Sequence, residues 1–118
     1  MSPSALQFFT ADFFRTLAHP IRIHILELLG TGDRSVRELQ QALDVEQPIV
    51  SQQLAVLRRK DIVRPHNHGP KVRYALTDRS ILTLLSVARQ VFNHHLIDAQ
   101  TMLRELQKET RRKARTNA

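Results

Sequence analysis

The 118-residue chain contains no cysteine and only three glycines. Without a thiol there is no disulfide, no thiolate metal ligand and no cysteine nucleophile or redox sensor. Gly30, Gly32 and Gly69 cannot furnish a phosphate-cradling loop, and no serine–histidine–acid arrangement is brought together by helix placement, so catalysis is not expected. No apolar run approaches the roughly 18 residues that a membrane span requires. No basic residue precedes Arg15, and the first residues carry no signal-like apolar stretch. These absences lead to the expectation of a cytoplasmic, soluble protein without membrane contact.

What is present is an ordinary globular composition, 42% hydrophobic and 25% charged, with a basic balance. Eighteen Lys and Arg stand against 11 Asp and Glu, a formal charge of +7. That excess favours a polyanionic partner without naming one. The length suits one core.

Periodicity organises the chain. Phe9, Phe13 and Leu17 recur at four-residue spacing, which predicts a helix burying one face. His19-Pro20 interrupts it, because the residue before proline is pushed out of the α region. A second helix starts at the proline with Ile21, Ile25, Leu28 and Leu29 as its buried face, and Gly30 with Gly32 ends it. Ser35 and Glu38 form a capping box that opens a short third helix with Val36, Leu39 and Leu43 on its apolar side. After the turn Asp44-Val45-Glu46, a fourth helix carries Val50, Leu54 and Leu57 inward and ends near Lys60-Asp61. Ile62 to His66 and Lys71 to Leu76 then read as short strands around the turn formers Asn67-His68-Gly69-Pro70. In the second strand Val72, Tyr74 and Leu76 alternate with Lys71, Arg73 and Ala75, giving an apolar and a basic face. Thr77 or Asp78 caps a long last helix reaching Leu106 or beyond. The expectation is a mainly α protein with a small β-hairpin, ααααββα, in which two short helices and a basic hairpin make a winged helix-turn-helix. Residues 1–107 form the domain, and residues 108–118 a basic, frayed tail.

The run Leu17-Ala18-His19-Pro20-Ile21-Arg22 through Leu28-Leu29, followed by Val50-Ser51-Gln52-Gln53-Leu54-Ala55-Val56-Leu57-Arg58, resembles the ArsR/SmtB family of bacterial winged-helix repressors. The likeness extends over about residues 9–106. It implies a sequence-specific transcriptional regulator, most often a repressor, that binds a double-stranded operator as a homodimer through its first and last helices. A two-fold dimer implies an inverted repeat.

A helix entering the major groove needs hydrogen-bonding or small residues near its outer N-terminal end. Gln47, Ser51 and Gln52 hold those positions by helical placement, and Ile49 is placed to touch a thymine methyl. Arg58, Arg59, Arg64, Lys71 and Arg73 suit phosphates, with Arg73 foremost, and His66 and His68 face DNA on the hairpin. The same residues also suit a solvated helix face and an ordinary basic surface. For pairing, Leu85, Ala88, Phe92, His95, Ala99, Met102 and Leu106 alternate at three- and four-residue spacing as a seam. Four of the five phenylalanines lie close together in the first helix, including Phe9 and Phe13, which points to burial against a partner.

The family resemblance implies an effector for many members. Ser35 stands where one metal site has cysteine, so that site is absent. Asp78 and His94 match two positions of another, while Ser80 and Val91 replace the others. His94, His95 and Asp98 remain, with Asp78, as candidate ligands for Ni²⁺ or Zn²⁺; seam-packed or solvated histidines are the alternative, and a partner protein or organic effector stays open. Two readings compete with the repressor: a sequence-neutral DNA-coating protein, and an interaction module that has lost DNA binding.

Overall fold

The computed structural model describes residues 1–116. Helices α1 (Ala5–Leu17), α2 (Pro20–Leu29), α3 (Val36–Leu43) and α4 (Gln47–Arg59) precede strands β1 (Val63–His68) and β2 (Lys71–Leu76), and α5 (Ser80–Thr116) follows. This is the ααααββα order expected from the sequence. Met1–Leu82 forms one compact unit, and the chain from Thr83 onward another. No helix among the described residues is long and apolar enough to cross a membrane.

The helix boundaries follow from local chemistry. His19 caps α2, its Nδ1 accepting from the Ile21 N–H at 3.1 Å, with Pro20 in the first turn where no donor is lost. Ser35 and Glu38 close the predicted capping box, hydroxyl to Glu38 N–H at 3.2 Å and carboxylate to Ser35 N–H at 3.1 Å. Asp44 ends α3 in the left-handed region at φ 54°, a conformation that aspartate tolerates better than most side chains. Asp78 caps α5 through Oδ1, which accepts from the Ser80 N–H at 2.8 Å.

The core of the first unit comprises Leu17, Ile25, Leu26, Leu29, Leu39, Val50, Leu54, Leu57, Ile62, Val63 and Ile81. It differs from expectation on α2, where Leu26 is fully buried and Leu28 only partly so. The α2 helix is enclosed on a broader arc than one row of side chains. Gly30 is also packed tightly, since a Cβ there would lie 2.7 Å from Leu82 Cδ2. On α1 the inward face shrinks to Thr16 and Leu17, while Phe9 and Phe13 are exposed. The helix therefore does not bury its aromatic row within this unit.

The hairpin pairs Val63 with Leu76 and closes at His68 with Lys71. The second strand has the predicted bounds, and the first runs two residues further than predicted, leaving Gly69-Pro70 as the loop; Gly69 at φ 65° supplies the first position of a II′-type connection. The register puts Arg64, His66, His68, Lys71 and Arg73 on one face. Val72, on the other face near the tip, is exposed because the core ends before it. A third piece of chain joins the sheet, Arg34 pairing with Tyr74 through N–H to O contacts of 3.1 and 2.7 Å.

From Ser86 to Thr116 every residue of α5 is exposed. The helix continues through residues 108–116, the stretch read from composition as frayed. Asn117 and Ala118, the end of that stretch, lie outside the described residues.

Candidate nucleic-acid interface

The α4 helix has two sharply different sides. At about 100° per residue, Gln47, Ser51, Gln52, Ala55, Arg58 and Arg59 fall within about 140° of arc, and all are exposed. Val50, Leu54 and Leu57 occupy the opposite side and are at most 2% exposed. Burial of that apolar row fixes the rotation of the helix, so the polar row must face out. Ile49, expected to touch a thymine methyl, falls outside this exposed arc and is half-buried.

Two ties hold this rotation. Arg22 of α2 donates from Nε to Gln53 Oε1 at 2.7 Å and from Nη1 to the Thr16 carbonyl at 3.0 Å. At the other end of α4, Lys60 Nζ donates to Asp12 Oδ2 of α1 at 2.8 Å. That contact, ahead of the charge of Arg15, holds the Asp12 carboxyl below its ordinary range. The neighbouring glutamines thus divide: Gln53 is a structural acceptor and Gln52 is free to face a ligand. The Arg22 and Gln53 roles were not visible in the sequence, where the pair lies 31 positions apart.

The wing is anchored to the segment that opens α3. Arg73 Nη1 donates to Glu38 Oε1 at 2.8 Å and Nη2 to the Asp33 carbonyl at 2.6 Å. Its cross-strand partner His66 brings Nε2 to 2.8 Å from Asp33 Oδ2, although this buried nitrogen forms no well-aligned hydrogen bond. The Glu38 carboxyl is held below its ordinary range chiefly by the Ser35 N–H and hydroxyl, with Arg73 adding to the effect. Arg73, foremost among the expected phosphate ligands, is therefore engaged inside the protein, and its side chain is only 26% exposed. His66 is turned in the same direction. Arg64, His68 and Lys71 are the basic wing residues left exposed.

The candidate metal ligands are not gathered. His94, His95 and Asp98 stand on the exposed stretch of α5, and Asp78 is engaged as a helix cap that the Ser80 N–H keeps ionised. Among the described residues no group of three or more His, Asp or Glu is placed to hold an ion. Within one chain, the described residues therefore assemble no such group.

The dimer candidates are divided between the units. Leu6, Phe8, Phe9, Phe13 and Phe14 expose apolar surface on α1, and Phe92, Met102 and Leu106 do so on α5. Ala88 and Ala99 are exposed along the same seam, whereas Leu85 is half-buried.

A family profile described as "Bacterial regulatory protein, arsR family" matches residues 19–64. The chain is 45% identical over 97 residues to the "Uncharacterized HTH-type transcriptional regulator Rv0081" of Mycobacterium tuberculosis, across 81% of this chain and 85% of that one. Identity to the "Biofilm growth-associated repressor" of Agrobacterium fabrum is 37% over 82 residues, 70% of each chain. The crystal structure of M. tuberculosis Rv0081 superposes with a TM-score of 0.74 at 44% identity, covering 81% of this chain and 97% of that one. The solution structure of the homodimeric winged helix-turn-helix DNA-binding domain of Mb0332 from Mycobacterium bovis gives 0.69 at 26% identity, over 78% and 85%.

Proposed function

The chain belongs to the ArsR family of bacterial regulatory proteins and is a DNA-binding transcriptional regulator, and on that premise we propose that it is a homodimeric repressor reading an inverted-repeat operator with the outer face of α4. The observation that carries this reading is the division of α4 into a buried apolar row and an exposed row of Gln47, Ser51 and Gln52. Glutamine can pair bidentately with adenine, and serine can donate to a phosphate or base edge. Arg58, Arg59, Arg64, Lys71 and His68 supply phosphate contacts, which give affinity and salt dependence without sequence preference.

Dimerisation is supported by apolar surface that a lone chain leaves in water. Phe9 is 74% and Phe92 61% exposed, and burying such a side chain is worth about 1.5–3 kcal/mol. Two-fold pairing through α1 and α5 would set two α4 helices against half-sites about 34–36 Å apart.

The test is a Ser51→Ala/Gln52→Ala protein assayed against its own upstream DNA. Loss of binding with an unchanged circular dichroism spectrum is expected. Undiminished binding would overturn the assignment of α4 as the reading helix.

A further inference from the structure

The last third of α5 segregates its charges in a way that solvation alone does not require. At about 100° per residue, Arg104, Lys108, Arg111, Arg112 and Arg115 fall within about 100° of arc. All five are exposed and all lie on a continuous helix, while Lys113, the sixth basic residue of this stretch, falls on the opposite side. From Arg104 to Arg115 the five charges are spread over about 16 Å of axis, in steps of about 4.5–6 Å except for the adjacent Arg111 and Arg112, so the stripe forms a line of positive charge. The acids Asp98, Glu105 and Glu109 lie on one flank, and the apolar seam of Ala99, Met102 and Leu106 lies roughly opposite. A face evolved only for solubility mixes both signs; blocks of one sign mark interaction with a polyanion.

We propose that this stripe is a second phosphate-binding surface, which holds duplex DNA flanking the sequence read by α4. The inference rests on the DNA-binding reading above. Two features favour DNA over an anionic membrane. Beyond Leu106 the described helix carries Ala114 as its one apolar side chain, so the stretch from Lys108 to Thr116 has no apolar face to insert among lipid chains. Arginine, which supplies four of the five charges, matches phosphate geometry bidentately. The Lys108–Glu105 contact at 3.8 Å is no obstacle, because both side chains are 68% exposed and such pairs are weak.

The test replaces Lys108, Arg111, Arg112 and Arg115 together with glutamine, a helix-tolerant neutral residue. Operator affinity is measured from low to moderate salt on two duplexes, one limited to the protected sequence and one extended by a turn on each side. Removing a single lysine or arginine from a phosphate makes the slope of log K against log salt shallower by about 0.9. One such removal in each copy of a dimer therefore predicts a change of at least about 1.8. The native protein should gain affinity from the extended duplex, and the neutral protein should not. A variant with the three arginines replaced by lysine keeps the charge and should keep the slope. Identical slopes and identical flank effects in native and neutral proteins overturn the proposal. So does a neutral protein that loses binding to phosphatidylglycerol vesicles while its DNA slope is unchanged. The Ser51→Ala/Gln52→Ala protein separates the two ideas, because it should lose sequence preference while retaining the flank effect.

Discussion

The adjacent residues Gln52 and Gln53 offer a paired substitution with opposite expected outcomes. Replacing Gln52 with alanine removes an exposed side chain, so stability should stay within about 0.5 kcal/mol of the native value. If that glutamine pairs bidentately with adenine, operator binding weakens by about 1–3 kcal/mol per half-site, or roughly 5- to 150-fold. Replacing Gln53 with alanine removes the 2.7 Å acceptor of the Arg22 guanidinium. A hydrogen bond to a charged group is worth about 1.5–3 kcal/mol. Arg22 is half-buried, so water recovers part of this and the expected loss is about 1–2 kcal/mol. Urea unfolding at an m-value of about 1.5 kcal/mol/M would show a midpoint lower by roughly 0.7–1.3 M. Operator affinity, measured where the protein is fully folded, should change much less than for Gln52. The reverse pattern, with Gln52→Ala destabilising and Gln53→Ala costing only affinity, would falsify the assigned rotation of α4.

Three further outcomes are expected. The depressed Glu38 carboxyl contributes stability that is fully present above its ordinary value of 4.5 and is lost as pH falls through its lower folded-state value; Glu38→Gln should therefore lower Tm at neutral pH and show a weaker fall in Tm on acidification than the native protein. Lys71→Ala should make the salt slope of DNA binding shallower by about 0.9 for each phosphate it neutralises with Tm unchanged, whereas Arg73→Ala, which frees the wing from Glu38 and Asp33, should lower Tm and accelerate amide exchange in β2. Phe9→Glu and Phe92→Glu should each shift sedimentation toward the monomer while preserving helicity, and an unchanged dimer in both would move the interface elsewhere.

The helical order was legible because its signals are local. A proline after His19, the Ser35–Glu38 box and the apolar row of α4 each act within one or two turns, and the structure bears them out, while of the α3 row Leu39 is buried and Val36 and Leu43 are half-buried. The resemblance of two segments to one bacterial family extended these local signs to a function, and the family profile agrees with it. What sequence alone could not resolve was the use of charged side chains across long separations. Arg73 looked like a free cation because Glu38 lies 35 positions away. Gln53 could not be told from Gln52 until the buried row of α4 fixed which one met Arg22. Phe9 and Phe13 carried a helical period, but a period does not say whether the covering surface belongs to the same chain. The Arg34 bridge to Tyr74 left no trace either, since a single backbone pair has no side-chain pattern.

The most direct measurement compares the affinity of the purified protein for its own upstream region with its affinity for random duplex at one salt concentration, alongside a footprint on the same DNA. The predicted result is a preference of about a thousandfold or more, with two protected half-sites separated by one helical turn. Equal affinity for both duplexes, or a footprint without paired half-sites, would contradict the account.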